Sequence, residues 1–299
     1  MNILIIILLM TSCAGIQNLN KEKEEKKFNY EVKSIEVFNG KVKYVQLDLP
    51  RKAKEHKLIC QEVDKKDAKK RKILFSKVQN VGHIYYAESY HSNAKEHACY
   101  YKGNKVLKVT VKQYPYQEEY LKVARGKVVL SEENKKRVEK EWLMSQELYK
   151  NTLPYSLIQE PFKNPLDSYI TSRYGKRRIF NNLKKTQHLG NDFRAAVGVP
   201  IPVSNRGKVV FTGHLFYTGK VVIVDHGVGL FTFYAHLSKP LVKTGEIIDK
   251  GTTVGLSGRT GRVSGPHLHW GVKLHGLNID GFSLVEESKK QFIRHDKLL

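Results

Sequence analysis

Apolar and polar residues alternate in short runs along most of this chain. Val42-Lys-Tyr-Val-Gln-Leu47 and Val106-Leu-Lys-Val-Thr-Val111 put apolar side chains on one face of an extended backbone, and Gly, Asn and Pro separate such runs. Residues 28–127 therefore predict a small β-rich domain, with a sandwich as the expected form. The charged run Asp64 to Lys72 inside it is expected to be an exposed loop. The same pattern returns beyond residue 165, in Lys208-Val-Val-Phe211, Lys220-Val-Val-Ile-Val224 and Leu230-Phe-Thr-Phe-Tyr234, with glycine-bearing turns between. No helical period is sustained there. Residues 165–285 predict a second, all-β unit, an antiparallel sheet of barrel-like form, so the chain as a whole is expected to be mainly β.

Between the two, residues 128–164 predict one linking helix and a proline-rich crossing. Ser131 is an N-cap candidate, Glu132 and Glu133 follow in the first turn, and basic residues come later, an order that suits the helix dipole. Val138, Trp142 and Tyr149 fall on one stripe, which predicts a helix packed between the domains. Pro154, Pro161 and Pro165 mark extended backbone after it. Residues 14–27, ending in Lys21-Glu-Lys-Glu-Glu-Lys-Lys27, have almost nothing to bury and read as a charged tether. Residues 286–299 read as a carboxy-terminal tail.

The first 13 residues add a location. Ile3 to Met10 are unbroken apolar residues, too few for the roughly 20 that span a bilayer, and they lead into Thr11-Ser12-Cys13. That arrangement reads as a secretion signal. Met10-Thr-Ser-Cys13 resembles a bacterial lipobox, which implies lipidation of Cys13, export across the inner membrane and a lipid anchor in the envelope, at the periplasm or outer membrane. Cys60 and Cys99 then remain as an even pair in a compartment that permits disulfides; a bridge and two reduced core thiols are both open. The 52 Lys and Arg against 29 Asp and Glu leave a formal charge of +23, shared by both halves of the chain. Such a surface is drawn to polyanions, among them anionic wall polymer and lipid. No nucleic-acid motif accompanies the charge, so nucleic acid is not an expected partner.

The chemistry lies in three local patterns: His188-Leu-Gly-Asn-Asp192, Tyr234-Ala-His236-Leu, and Gly265-Pro-His267-Leu-His269. Each is cheap alone, since 12 histidines in 299 residues would give about 0.5 His-x-His pairs by chance, so only the conjunction carries weight. On a strand, His267 and His269 point to one face. His188 and Asp192 stand at helical spacing, but Gly190 and the all-β setting favour a loop or bulge. Two imidazoles and one carboxylate are the donor set of a catalytic zinc site, where three protein ligands leave one position for water. A neighbouring imidazole of suitable pKa can then move protons, and His267 and His236 are the candidates.

These motifs, with Thr171-Ser-Arg-Tyr-Gly175 before them and Val224-Asp-His-Gly227, Tyr234-Ala-His-Leu-Ser238 and Thr260-Gly-Arg-x-Ser-Gly-Pro-His-Leu-His269 in order after, resemble a lysostaphin/LytM-type metallopeptidase domain. The resemblance covers roughly residues 165–285. It implies one Zn2+ held by His188, Asp192 and His269, with His267 and His236 in base and transition-state roles, and peptide cross-links of peptidoglycan as substrate. An alternative within the same fold is a non-catalytic regulator of cell-wall amidases, and a protein regulator of this chain is a further expectation of the same kind. Two departures stand out: Trp270-Gly271 where the family often has an aromatic residue and a glutamate, and a basic spacer from Lys176 to Gln187. Arg173, Tyr174 and Tyr217 are candidates to line the cleft, His226 to close a hairpin turn; His214 and His275 receive no role.

Overall fold

The computed structural model describes residues 28–63, 65–121, 130–180 and 184–293. The signal segment 1–13 with Cys13, the tether 14–27 and residues 294–299 of the tail lie outside the described residues.

Nine strands come first: β1 (Lys33–Phe38), β2 (Val42–Asp48), β3 (Lys57–Glu62), β4 (Arg71–Leu74), β5 (Ser76–Val78), β6 (Val81–Ala87), β7 (Glu96–Tyr101), β8 (Asn104–Lys112) and β9 (Glu118–Leu121). Helix α1 (Glu132–Lys150) follows. Then come β10 (Ile170–Ser172), β11 (Arg177–Phe180), β12 (Lys184–Gln187), β13 (Asn191–Arg194), β14 (Pro200–Pro202), β15 (Gly207–Leu215), β16 (Gly219–Asp225) and β17 (Leu230–Leu237). The last elements are β18 (Lys239–Pro240), β19 (Ile247–Ile248), β20 (Thr253–Leu256), β21 (His267–Leu274), β22 (Leu277–Ile279) and α2 (Gly281–Gln291).

The amino-terminal strands form a five-stranded sheet, β1-β8-β7-β3-β4, and a three-stranded one, β2-β6-β5. Alternation along β2 and β6 explains how the smaller sheet serves two cores. Val45 and Leu47, with Ile84 and Tyr86, face the amino-terminal core beside Leu58, Ile73, Tyr101 and Leu107. Val42 and Tyr44, with Tyr85 and Ala87, face the other way, into the core of the carboxy-terminal domain beside Leu284 and Val285. Period-two patterning with both faces apolar thus makes one sheet the wall between two domains. Cys60 and Cys99, cross-strand partners in β3 and β7, are joined as a disulfide.

The carboxy-terminal domain is built on an eight-stranded antiparallel sheet in the order β10-β13-β21-β17-β16-β15-β19, with β22 paired to β21. The sheet is open, with β10 and β19 at its edges, and no barrel closes. Trp270, Phe193, Tyr234 and Leu268, all at 1% exposure or less, fill its inner face.

Two expectations change. Helix α1 does not carry Trp142 into a core: none of its residues is buried and Trp142 is 57% exposed. The helix is highly charged and rests on the sheet by its last turns, where Leu148 and Tyr149 meet Val221, Ile223 and Phe231. A second helix, α2, occupies residues assigned to the domain end and the tail. Asp280 caps it by accepting from the Phe282 N–H, Lys289 and Lys290 close its last turn, and Leu284, Val285 and Ser288 are its buried face.

Helix α2 ties the domains together. Glu287 accepts from the Tyr44 N–H (3.0 Å), Gln291 from the Tyr85 hydroxyl (2.6 Å), and Asp280 pairs with Lys41 (2.5 Å). A second tie lies closer to the histidines. β9, leaving the amino-terminal sheets, pairs in parallel with β11 of the β11–β12 hairpin.

Candidate metal centre

β21 puts His267 and His269 on one face of the central sheet, and β13 runs beside it with Asp192 directly opposite His269. His188 sits in the three-residue connection between β12 and β13, so the spacing to Asp192 is that of a turn into a strand rather than of a helix. Gly190 permits the approach: a β-carbon there would fall 2.5 Å from Cε1 of His269.

The three side chains meet at their ligand atoms. Asp192 Oδ1 lies 2.9 Å from His188 Nε2 and 2.7 Å from His269 Nδ1, and the two nitrogens are 3.2 Å apart. His188 Nδ1 is 3.0 Å from the Arg173 carbonyl, which can only accept, so Nδ1 carries the proton and the lone pair is left on Nε2. Nitrogen, nitrogen and oxygen acceptors converging in this way fit a divalent cation. Burial raises the Asp192 pKa, but in the absence of a cation His188 and His269 rings that are protonated toward the carboxylate outweigh it and hold the carboxyl well below the usual carboxylate range; a cation would take over that role from the protons. Arg178 lies 3.6 Å from Oδ2 and donates to the Ser172 hydroxyl (2.9 Å), which neighbours His188 Nδ1.

His267 and His236 stand next to the cluster. Their ring centroids are 4.8 Å apart, and His267 Nε2 is 3.8 Å from Asp192 Oδ1. Each gives its Nδ1 proton to a main-chain carbonyl, His267 to Gly265 (2.9 Å) and His236 to Thr260 (2.8 Å), which leaves Nε2 of both as an acceptor. Burial first, then the nearby His269 and His267, push the His236 pKa down to about 3, against the Thr260 carbonyl, so the ring stays neutral. His236 has φ of +62°, a region L-residues adopt at a cost of order 1 kcal/mol or more. Its N–H is held by the Thr218 carbonyl (2.8 Å), and Gly258 lies so close to its carbonyl that a β-carbon would meet the oxygen at 2.9 Å.

A cavity of about 320 Å³ opens over the five residues, with Arg178, Gln187, Tyr217, Arg262 and Ser264 in its walls. Of the other candidates, Tyr217 lines it. Arg173 instead stacks on Phe282 (5.2 Å), and Tyr174 is buried between the domains with its hydroxyl on the Asn278 carbonyl (2.8 Å). His226 is a buried turn residue, between the Arg206 carbonyl (2.7 Å) and the Thr232 hydroxyl (2.8 Å). Gly271, where a glutamate is common in the resembling family, pairs across strands with Phe233, whose ring would sit 1.8 Å from any β-carbon there. That ring also lies 5.7 Å from His269, so an aromatic ring neighbours this histidine where a carboxylate is common.

Residues 186–281 match the model of Peptidase family M23. The carboxy-terminal part of this chain is an M23 peptidase domain. This accords with the lysostaphin/LytM-type resemblance of its motifs. The chain is 37% identical over 154 residues to the peptidoglycan DD-endopeptidase ShyA of Vibrio cholerae, covering 48% of this chain and 36% of that protein. With ShyC of the same organism, also named a peptidoglycan DD-endopeptidase, identity is 34% over 145 residues, covering 45% and 34%. The chain thus matches about a third of the length of these relatives. A solved structure described as a putative peptidase M23 from Pseudomonas aeruginosa superposes with a TM-score of 0.61 at 23% identity, over 84% of this chain and 95% of that one. Its coverage extends the shared fold beyond the M23 domain to the amino-terminal strands.

The β9 contact and Arg262 were not singled out in the sequence. β9 is a polar stretch whose pairing partner lies far along the chain. Arg262 sits inside the Thr260-Gly-Arg motif, where its type alone gave no signal of a role.

Proposed function

We propose that this protein is a zinc-dependent endopeptidase that hydrolyses peptide cross-links of bacterial peptidoglycan, with one metal ion held by His188, Asp192 and His269. The convergence of these three acceptor atoms beneath an open cavity, with two further imidazoles at its edge, carries the reading. A zinc ion bound there would polarise the scissile carbonyl and bring a water into the acidity range where it is a nucleophile near neutral pH. The chain's own residues handle the protons. His267 and His236 both present Nε2 as a base, fixed by carbonyls behind Nδ1. One takes the proton of the attacking water, and the same proton is returned to the leaving amine. Asp192, whose carboxyl is held low, keeps negative charge on the metal side, with Arg178 3.6 Å from its other oxygen. The family match and the DD-endopeptidase names of the relatives support the substrate class.

The amino-terminal apolar run Ile3 to Met10 leading into Cys13 supports export and lipid anchoring in the envelope, and a Cys60–Cys99 bridge suits an oxidising compartment. The test uses the whole chain. Zinc-loaded protein is incubated with purified sacculi, and new peptide termini are counted with and without chelator and after zinc is restored. Release that chelator does not suppress, or unchanged release by His269→Ala, would sink the zinc mechanism. Tight zinc binding with no release of wall peptides would point instead to the regulator of amidases.

A further inference from the structure

Among the described residues, the cavity over the proposed metal site holds a single carboxylate, Asp192, and that group is already engaged by His188, His269 and Arg178. Of the two arginines in the walls, Arg178 is turned to Asp192 and Ser172. Arg262 is different. Its guanidinium lies over the Tyr217 ring with Cζ 4.4 Å from the centroid, it pairs with no carboxylate of the described residues, and it is exposed to the cavity mouth. Its main-chain N–H is fixed to the Tyr217 carbonyl (3.0 Å), so ring and guanidinium form one unit.

That unit is held from two sides. The preceding residue, Phe216, gives its N–H to a Glu141 carboxylate oxygen of α1 (2.8 Å), while Arg137 donates to the other oxygen (2.8 Å) and covers the Phe216 ring (5.7 Å). The following residue, Thr218, accepts from the His236 N–H. The linking helix therefore braces a cavity wall that is continuous with a proposed base. An arginine already stacked on an aromatic ring loses less freedom when it binds, and its planar fork matches a carboxylate.

We propose that Arg262, seated on Tyr217, recognises a free carboxylate of the peptide substrate close to the bond that is cut. This deepens the peptidase reading and rests on it for the identity of the substrate. Asp192 supplies the counter-charge in the metal cluster, and the ligand supplies the counter-charge for Arg262. The adjacent Ser264 hydroxyl offers one further donor to the same anion.

The probe is a purified cross-linked muropeptide dimer, native or with its free carboxyl groups chemically amidated. Binding is measured in chelator, where no turnover occurs, and cleavage is measured with zinc, each for the whole wild-type chain and for Arg262→Gln. Charge-assisted hydrogen bonds at a partly exposed site predict that wild type binds the native dimer about tenfold more tightly than the amidated one. In Arg262→Gln that ratio should fall to about one, with the zinc-supported loss appearing in KM more than in kcat. Equal affinity of wild type for both dimers, absent binding of either, or a preference retained in Arg262→Gln overturns the proposal. If the charge preference is found but zinc-loaded protein cuts neither dimer, the peptidase reading fails while the recognition stands. If both dimers are cut with no charge preference, the reverse holds.

Discussion

Gly190 lies directly beneath His269: a β-carbon on it would fall 2.5 Å from the ring's Cε1 and 2.8 Å from the Trp270 carbonyl oxygen. The backbone oxygen cannot move away cheaply, so Gly190→Ala must displace either the His269 ring or the His188–Asp192 connection. Supporting residues of metal sites typically alter affinity 10- to 100-fold, and a loss of roughly that size is expected for zinc. Competition with a chromophoric chelator measures it. An unchanged affinity would mean that His269 does not need its present position.

Stability should fall in mild acid, and His226 is one identifiable reason. It is fully buried, and burial pushes its pKa down to about 4, with the Arg206 carbonyl opposing. In the unfolded chain the ring titrates near 6.5, so the unfolded state takes up a proton first as pH falls. The contribution of neutral His226 is complete above about pH 6.5, is lost progressively between about 6.5 and 4, and does not change further below that window. A shift of this size corresponds to about 3 kcal/mol. Urea unfolding at pH 7.5 and pH 4.5 should show wild type losing more stability than His226→Asn by an amount of that order. Equal losses would remove His226 from the account.

The parts of this molecule that were legible in the sequence are those governed by local period. His267 and His269 share a face because a strand repeats every two residues, and Gly190 signalled that His188 and Asp192 meet through a turn. Alternation in β2 announced a strand but could not announce that both of its faces would be covered, since Tyr44, like Tyr85 of the neighbouring β6, finds its partner on α2, far along the chain. Helix α2 itself had readable signals in Asp280 and Lys289-Lys290, yet its apolar face is only Leu284, Val285 and Ser288, too short to stand out from a polar tail. Trp142 misled for the opposite reason. A regular stripe existed, but α1 is anchored through Glu141, Leu148 and Tyr149 instead.

The Cys60–Cys99 bridge closes a loop with a sequence separation of 39 and lies wholly in the amino-terminal core, at 1% exposure or less. Loop-closure entropy for that length predicts a contribution of about 4 kcal/mol. Replacing both cysteines by serine should lower the urea midpoint by a corresponding amount, and reductant should have no further effect on the double variant. If reductant and the double substitution leave the wild-type midpoint unmoved, the pair does not stabilise the fold.

Tyr116 makes the amino-terminal domain part of the support of the proposed metal site. Its ring covers Gly175, where a β-carbon would meet it at 2.0 Å, and its hydroxyl donates to the Asn39 carbonyl (2.7 Å). Gly175 in turn gives its N–H to the His188 carbonyl (2.7 Å), and β9, just beyond Tyr116, is bonded along β11. Truncating the ring removes the packing that holds Gly175 against His188. Aromatic-to-alanine changes in cores cost about 3–5 kcal/mol, and the lower end applies to a half-buried ring. Tyr116→Ala should therefore lose about 3 kcal/mol and also bind zinc more weakly, whereas Tyr114→Ala, at an exposed neighbour, should change zinc affinity little. Unfolding and zinc titration on the same samples separate the two effects. A Tyr116→Ala protein that is destabilised but retains full zinc affinity would show that the domains share stability without sharing the site.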